Sequence, residues 1–76
     1  MDELLATLAR QLVAHPEEVR VVQTEGDGEV VLHLHVAPDD VGKVIGKQGR
    51  IARAMRTIVK AAAARSGRRV HVEIAD

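Results

Sequence analysis

Seventy-six residues with 46% apolar and 29% charged side chains make one small globular domain, too short for two cores and too apolar for disorder. There is no Phe, Tyr or Trp, which excludes surfaces that stack bases on aromatic rings, and no Cys, which excludes disulfides, thiolate chemistry and zinc-finger spacings. Eleven basic residues balance eleven acidic ones, so any steering field must come from the placement of charge rather than its total.

In chain order, Leu4, Leu5, Leu8, Leu12 and Val13 recur at helical spacing. They predict an amphipathic helix from Glu3 toward His15, with Asp2 as N-cap and Pro16 stopping it near Ala14. Glu18–Thr24 is rich in Val and reads as a strand, and Glu25-Gly26-Asp27-Gly28 as the turn of a β-hairpin. In the second strand, Glu29–Val36, the residues Val30, Leu32, Leu34 and Val36 share one face, while Val31, His33 and His35 share the other. Pro38 opens a short helix whose apolar side is Val41, Val44 and Ile45, with Asp39 and Asp40 suited to its positive first turn. A glycine turn at 46–49 follows. The helix after it, about Arg50–Arg65, places Ile51, Met55, Ile58, Val59 and Ala62 on one stripe and Arg53, Arg56 and Lys60 opposite. Gly67 ends that helix, and Arg69–Ile74 is a last strand. The expected fold is α+β, a two-layer sandwich with a three-stranded sheet, helices on one face, and the order α-β-β-α-α-β.

Charge is unevenly spread along this order. Residues 41–70 hold Lys43, Lys47, Arg50, Arg53, Arg56, Lys60, Arg65, Arg68 and Arg69 and no acid, while the other positions hold Arg10 and Arg20 against all the acids. The glycine turn lies inside the basic segment. Its glycines allow unusual backbone angles and close approach, and the N-terminus of the next helix favours an anion such as phosphate. Cations near a helix N-terminus are unfavourable by a few tenths of a kcal/mol each, so Lys43, Lys47, Arg50 and Arg53 gathered there point to an anionic ligand.

Val44-Ile45-Gly46-Lys47-Gln48-Gly49-Arg50-Ile51 closely resembles the signature of KH domains, in which an Ile-Gly-x-x-Gly loop joins two helices. The resemblance covers a core at 29–74, preceded by a helix and strand at 2–25, which looks like the type II arrangement. Over the whole of residues 1–76 the chain is similar to the small single-KH RNA-binding proteins of the bacterial KhpA family. That likeness implies a clamp on about four unpaired nucleotides of single-stranded RNA. By position, Gly46, Lys47, Gln48 and Gly49 would grip phosphates, Val44, Ile45 and Ile51 would line or support the groove floor, and Lys43, Arg50 and Arg53 would flank it. It also implies an RNA chaperone or post-transcriptional regulator. Self-association, or pairing with a larger KH-containing bacterial protein, is implied as well, so an interaction or dimerisation adaptor is the alternative function.

Other chemistries are weaker. Gly42-Lys43-Val44-Ile45-Gly46-Lys47 is one residue short of a nucleotide-binding P-loop, and Gln48 stands where Ser or Thr should hold magnesium. His33, His35 and His71 invite a metal but lack a convincing set of further ligands. Ser66 has no His–acid pairing near it, so no enzyme and no cofactor are expected. No apolar run approaches the roughly 20 residues that span a bilayer. Met1-Asp2-Glu3 lacks a signal peptide's basic start, and the expected location is the cytoplasm.

Overall fold

The computed structural model describes residues 1–75. Helix α1 (Asp2–Arg10) leads into strands β1 (Arg20–Gly26) and β2 (Glu29–His35), then helices α2 (Val41–Ile45) and α3 (Arg50–Ala64), then strand β3 (Arg69–Ala75). Single 3₁₀ turns at Pro16–Glu18, Pro38–Asp40 and Lys47–Gly49 connect them.

The sheet has the order β1-β2-β3, leaving β1 and β3 as edges. β1 and β2 pair antiparallel from Arg20↔His35 to Gly26↔Glu29, closed by a turn in which Asp27 and Gly28 both take positive φ, as the right-handed strand twist favours. β3 runs parallel to β2, from Glu29↔Arg69 to His35↔Ala75, and the helices supply the crossover. Alternation then sorts the side chains. Val30, Leu32 and Leu34 of β2 and Val70 and Val72 of β3 are buried with Leu5, Ala9, Val44, Met55, Val59 and Ala63 of the helices.

Several elements differ from the sequence expectation. α1 ends at Arg10, not near Ala14, and Met1 rather than Asp2 is its N-cap. The reason lies outside the helix: the N–H groups of Ala14 and His15 donate to the Asp40 carboxylate, at 3.1 and 3.0 Å, which holds the chain in a different course. Leu12, left beyond the helix, is exposed. β1 begins at Arg20 and runs to Gly26, two residues later than expected, because only Asp27 and Gly28 are needed to reverse the chain. On α3 the buried stripe is Ala52, Met55, Val59 and Ala63, whereas Ile58 is 46% exposed. α3 ends at Ala64 in a Schellman arrangement, Arg68 N–H to Ala63 C=O and Gly67 N–H to Ala64 C=O, with Gly67 left-handed.

Candidate nucleic-acid interface

The glycine turn is built from backbone angles that few residues accept. α2 closes with the Gly46 N–H on the Gly42 carbonyl at 2.9 Å. Gly46 itself sits at φ 73°, ψ 178°, a region essentially reserved for glycine. A Cβ on Gly46 would lie 2.6 Å from Cγ1 of Ile51, so that glycine is required by contact as well as by conformation. Gln48 is left-handed, at φ 56°, and so is Gly49, at φ 74°. A left-handed non-glycine residue costs about 1–2 kcal/mol. Strain of this kind, tolerated in an exposed turn, is a mark of a functional segment.

The donors of the turn divide into two groups. Gly49 N–H returns to the Gly46 carbonyl at 3.2 Å and Arg50 N–H to the Lys47 carbonyl. Among the described residues the N–H groups of Lys47 and Gln48 return to no backbone carbonyl. α3 starts with Gly49 as N-cap, no side-chain cap and no acid in its first turn. Unpaired donors of two exposed residues thus lie beside a positive helix end that has no capping side chain and no acid in its first turn.

Charge pairing sharpens this picture. Of the nine cations in residues 41–70, Lys43 pairs with Asp40 at 3.3 Å, Arg68 with Glu25, and Arg69 with Glu29 at 3.8 Å. Among the described residues Lys47, Arg50, Arg53, Arg56, Lys60 and Arg65 have no carboxylate partner. All six lie in the glycine turn, along α3 or just past its end. The unbalanced positive charge therefore surrounds the turn and runs down the long helix.

The structure brings most of the expected site residues together. Lys47, Gln48, Arg50 and Arg53 are exposed around the turn, Gly46, Gly49 and Ile51 are partly buried, and Ile45 is exposed beside it. Val44 is wholly buried and belongs to the core. Arg50 and Arg53 also border, with Ala54, Thr57 and Ile58, a shallow depression of about 400 Å³ on the outer side of α3.

Sequence reasoning missed what Asp40 does. Its expected role was to favour the first turn of α2, yet it makes no side-chain cap there. The carboxylate is instead wholly buried and receives Ala14 N–H, His15 N–H and the Lys43 ammonium. Burial works to raise its pKa; the two N–H groups and Lys43 outweigh that and hold it below the usual aspartate range. Lys43 is thus engaged by Asp40. The burial of Asp40 rather than Asp39 has no local signal, because its two N–H partners are about 25 residues away in the chain. Arg56, expected opposite the apolar stripe of its helix, does not project freely into solvent. It is half-buried, with Nε–H donating to the Val72 carbonyl at 3.1 Å.

The three sheet histidines do not converge. His33 lies between Thr24 and Glu73, at 3.3 and 3.8 Å, and His71 turns to Glu29 at 3.4 Å. Donor atoms of His15, Glu17 and Glu18 come within 4.8 Å of one another at the surface, a grouping the sequence reading did not single out.

A Gly-x-x-Gly turn between two helices, packed on a three-stranded sheet whose last strand lies parallel to the middle one, defines a type II KH domain. The chain belongs to the KhpA/KhpB KH-domain family, whose profile matches residues 2–74. It is 55% identical over 74 residues to the RNA-binding protein KhpA of Clostridium acetobutylicum, covering 97% of this chain and 99% of that one. It is 45% identical to the KhpA of Bacillus subtilis, covering all of this chain and 94% of that one. Among solved structures, Era in complex with a segment of 16S ribosomal RNA superposes with a TM-score of 0.67 at 20% identity, over 96% of this chain and 28% of the other. Aquifex aeolicus Era bound to GDP and aluminium fluoride gives 0.65 over the same shares. At that identity the likeness shows the fold alone.

Proposed function

We propose that this protein binds single-stranded RNA by gripping its phosphate backbone on Gly46-Lys47-Gln48-Gly49. The observation that carries the reading is the unanswered positive end of α3: exposed Lys47 and Gln48 N–H groups, an uncapped helix N-terminus, and Lys47, Arg50 and Arg53 without carboxylate partners. A phosphate supplies what each of these lacks. Ile45 and Ile51 offer bases an aliphatic floor, and Val44 fixes that floor from the core. Lys43 flanks the site and reaches a phosphate only by leaving Asp40. Residues 1–76 act as one KH domain, with the core at 29–74.

The relatives named RNA-binding protein KhpA support the same reading over nearly their whole length. We read the role as non-enzymatic, an RNA chaperone or post-transcriptional regulator in the cytoplasm. No helix of the described residues is long and apolar enough to cross a membrane. The test is titration of a short single-stranded RNA by fluorescence anisotropy against wild type and a Lys47→Asp, Gln48→Asp double variant that still melts cooperatively. Loss of at least tenfold in affinity is expected, because acids would face the phosphates; unchanged affinity overturns the clamp.

A second reading is favoured by Ile58, which lies 46% exposed on α3 next to Ala54. This face suits a second copy of the chain or a larger KH-containing bacterial partner. Pairing there would join two short RNA sites and raise their combined affinity.

A further inference from the structure

α3 and β3 meet in a seam that leaves the glycine turn, and one side chain is fixed in it. The Nε–H of half-buried Arg56 donates to the Val72 carbonyl. β3 is an edge strand, so a carbonyl reached from α3 is one that faces away from β2. By the two-residue repeat, Val70 and Ile74 present their peptide groups the same way. No carboxylate pairs with Arg56 among the described residues.

A guanidinium carries five N–H donors in one rigid plane. Val72 takes the one on Nε, which leaves the four on the terminal nitrogens and fixes the plane that holds them. Arg56 lies six residues beyond Arg50, about 9 Å along the helix axis. That is within the span of the roughly four nucleotides a glycine clamp holds. Farther along, Lys60, Arg68, Arg69, Val70, His71 and Glu29 line a cleft of about 480 Å³, so a strand passing Arg56 has room to continue.

The chain has no Phe, Tyr or Trp, and among the described residues the exposed cations near the turn, Lys47, Arg50 and Arg53, make no side-chain hydrogen bond. A planar donor group held by its own backbone contact is therefore the best-ordered base reader the seam contains. We propose that Arg56 is the specificity-determining residue of the RNA site, its terminal N–H pair donating to two adjacent acceptors on one base. Guanine offers such a pair in O6 and N7, and cytosine in O2 and N3. Adenine and uracil present an acceptor beside a donor on the same edges. Arg56 therefore favours guanine or cytosine at the position that follows the clamp.

This inference rests on the RNA-binding reading above, and the experiment separates the two. Wild type is titrated with short oligo(C), oligo(A) and oligo(U), and is expected to prefer oligo(C) by about tenfold, the discrimination typical of one bidentate arginine contact. Arg56→Gln and Arg56→Lys should each level that preference. The lysine variant keeps the charge and leaves the salt dependence nearly unchanged, and it carries the test if the glutamine variant fails to melt cooperatively. A wild type without base preference, or a lysine variant that keeps the wild-type ranking, overturns the role of Arg56. If the Lys47→Asp, Gln48→Asp protein binds all three oligomers as wild type does, the failure belongs to the clamp instead.

Discussion

Replacing Gly46 by alanine sets a methyl group 2.6 Å from the Ile51 side chain at a φ of 73°. The same change at Gly49 meets nothing within 4 Å and adds only the strain of φ 74°. The two glycines of the turn therefore differ in kind, one required by contact and conformation, the other by conformation alone. Gly49→Ala should cost about 1 kcal/mol, the ordinary penalty for a left-handed alanine. Gly46→Ala should cost about 2–3 kcal/mol, since strain and overpacking act together. Urea unfolding of the two variants beside wild type measures the difference. Equal midpoints would show that Ile51 moves aside freely and does not brace the turn. The need for both glycines was legible in the sequence, since the pair sat between two helical patterns. The left-handed Gln48 was not, because nothing in its side chain demands that conformation.

At the level of elements, Asp40 ties the segment after α1 to the start of α2 and so helps fix where the glycine turn sits. Its pKa in the folded protein lies below the usual aspartate range, so its contribution to stability is complete above the unfolded-state pKa and is lost as pH falls through the folded one. Asp40→Asn keeps the shape but has a single acceptor oxygen for two N–H groups. Its melting temperature should fall below that of wild type at neutral pH, with the gap constant down to the usual aspartate range and closing under stronger acid. Melting curves recorded across that pH range check this, and a gap that widens on acidification would contradict it. Lys43 shares in the same device. Removing its charge as Lys43→Gln should lower stability, because a buried carboxylate loses its cation. The slope of log affinity for RNA against log salt should change less than for Lys47→Gln, where about 0.7 is expected for one lost phosphate contact. Equal slopes for the two variants would mean that Lys43 exchanges Asp40 for phosphate on binding. The elements themselves were readable from period and turn residues, and β2, with its clean alternation, was placed within one residue. α1 was drawn too long because its end is set by a contact from Asp40 far along the chain, which no local pattern reveals. Ile58 was placed on the apolar stripe because its spacing fits, but α3 turns that side outward beside Arg50 and Arg53.

For the whole molecule, a net charge of zero conceals two unlike regions. Among the described residues six cations without carboxylate partners follow the glycine turn and α3, while on the sheet Glu25, Glu29 and Glu73 meet Arg68, Arg69, His71 and His33. An approaching polyanion is drawn to one side only, so RNA should arrive with the turn facing it despite the neutral total. This arrangement separates RNA binding from self-association by their response to salt. If Lys47, Arg50 and Arg53 each meet a phosphate, log affinity should fall with log salt at a slope of about −2, given roughly 0.7 per contact on single strands. Pairing through Ile58 and Ala54 removes apolar surface from water and should hold or strengthen as salt rises. Sedimentation of the protein alone and with a short RNA, at several salt concentrations, reads both at once. The expected pattern is an RNA complex that dissociates with salt while any protein dimer persists, and Ile58→Asp should remove the dimer without changing the salt slope for RNA. A dimer that disappears together with the RNA complex would show that RNA, not the face of α3, holds the copies together.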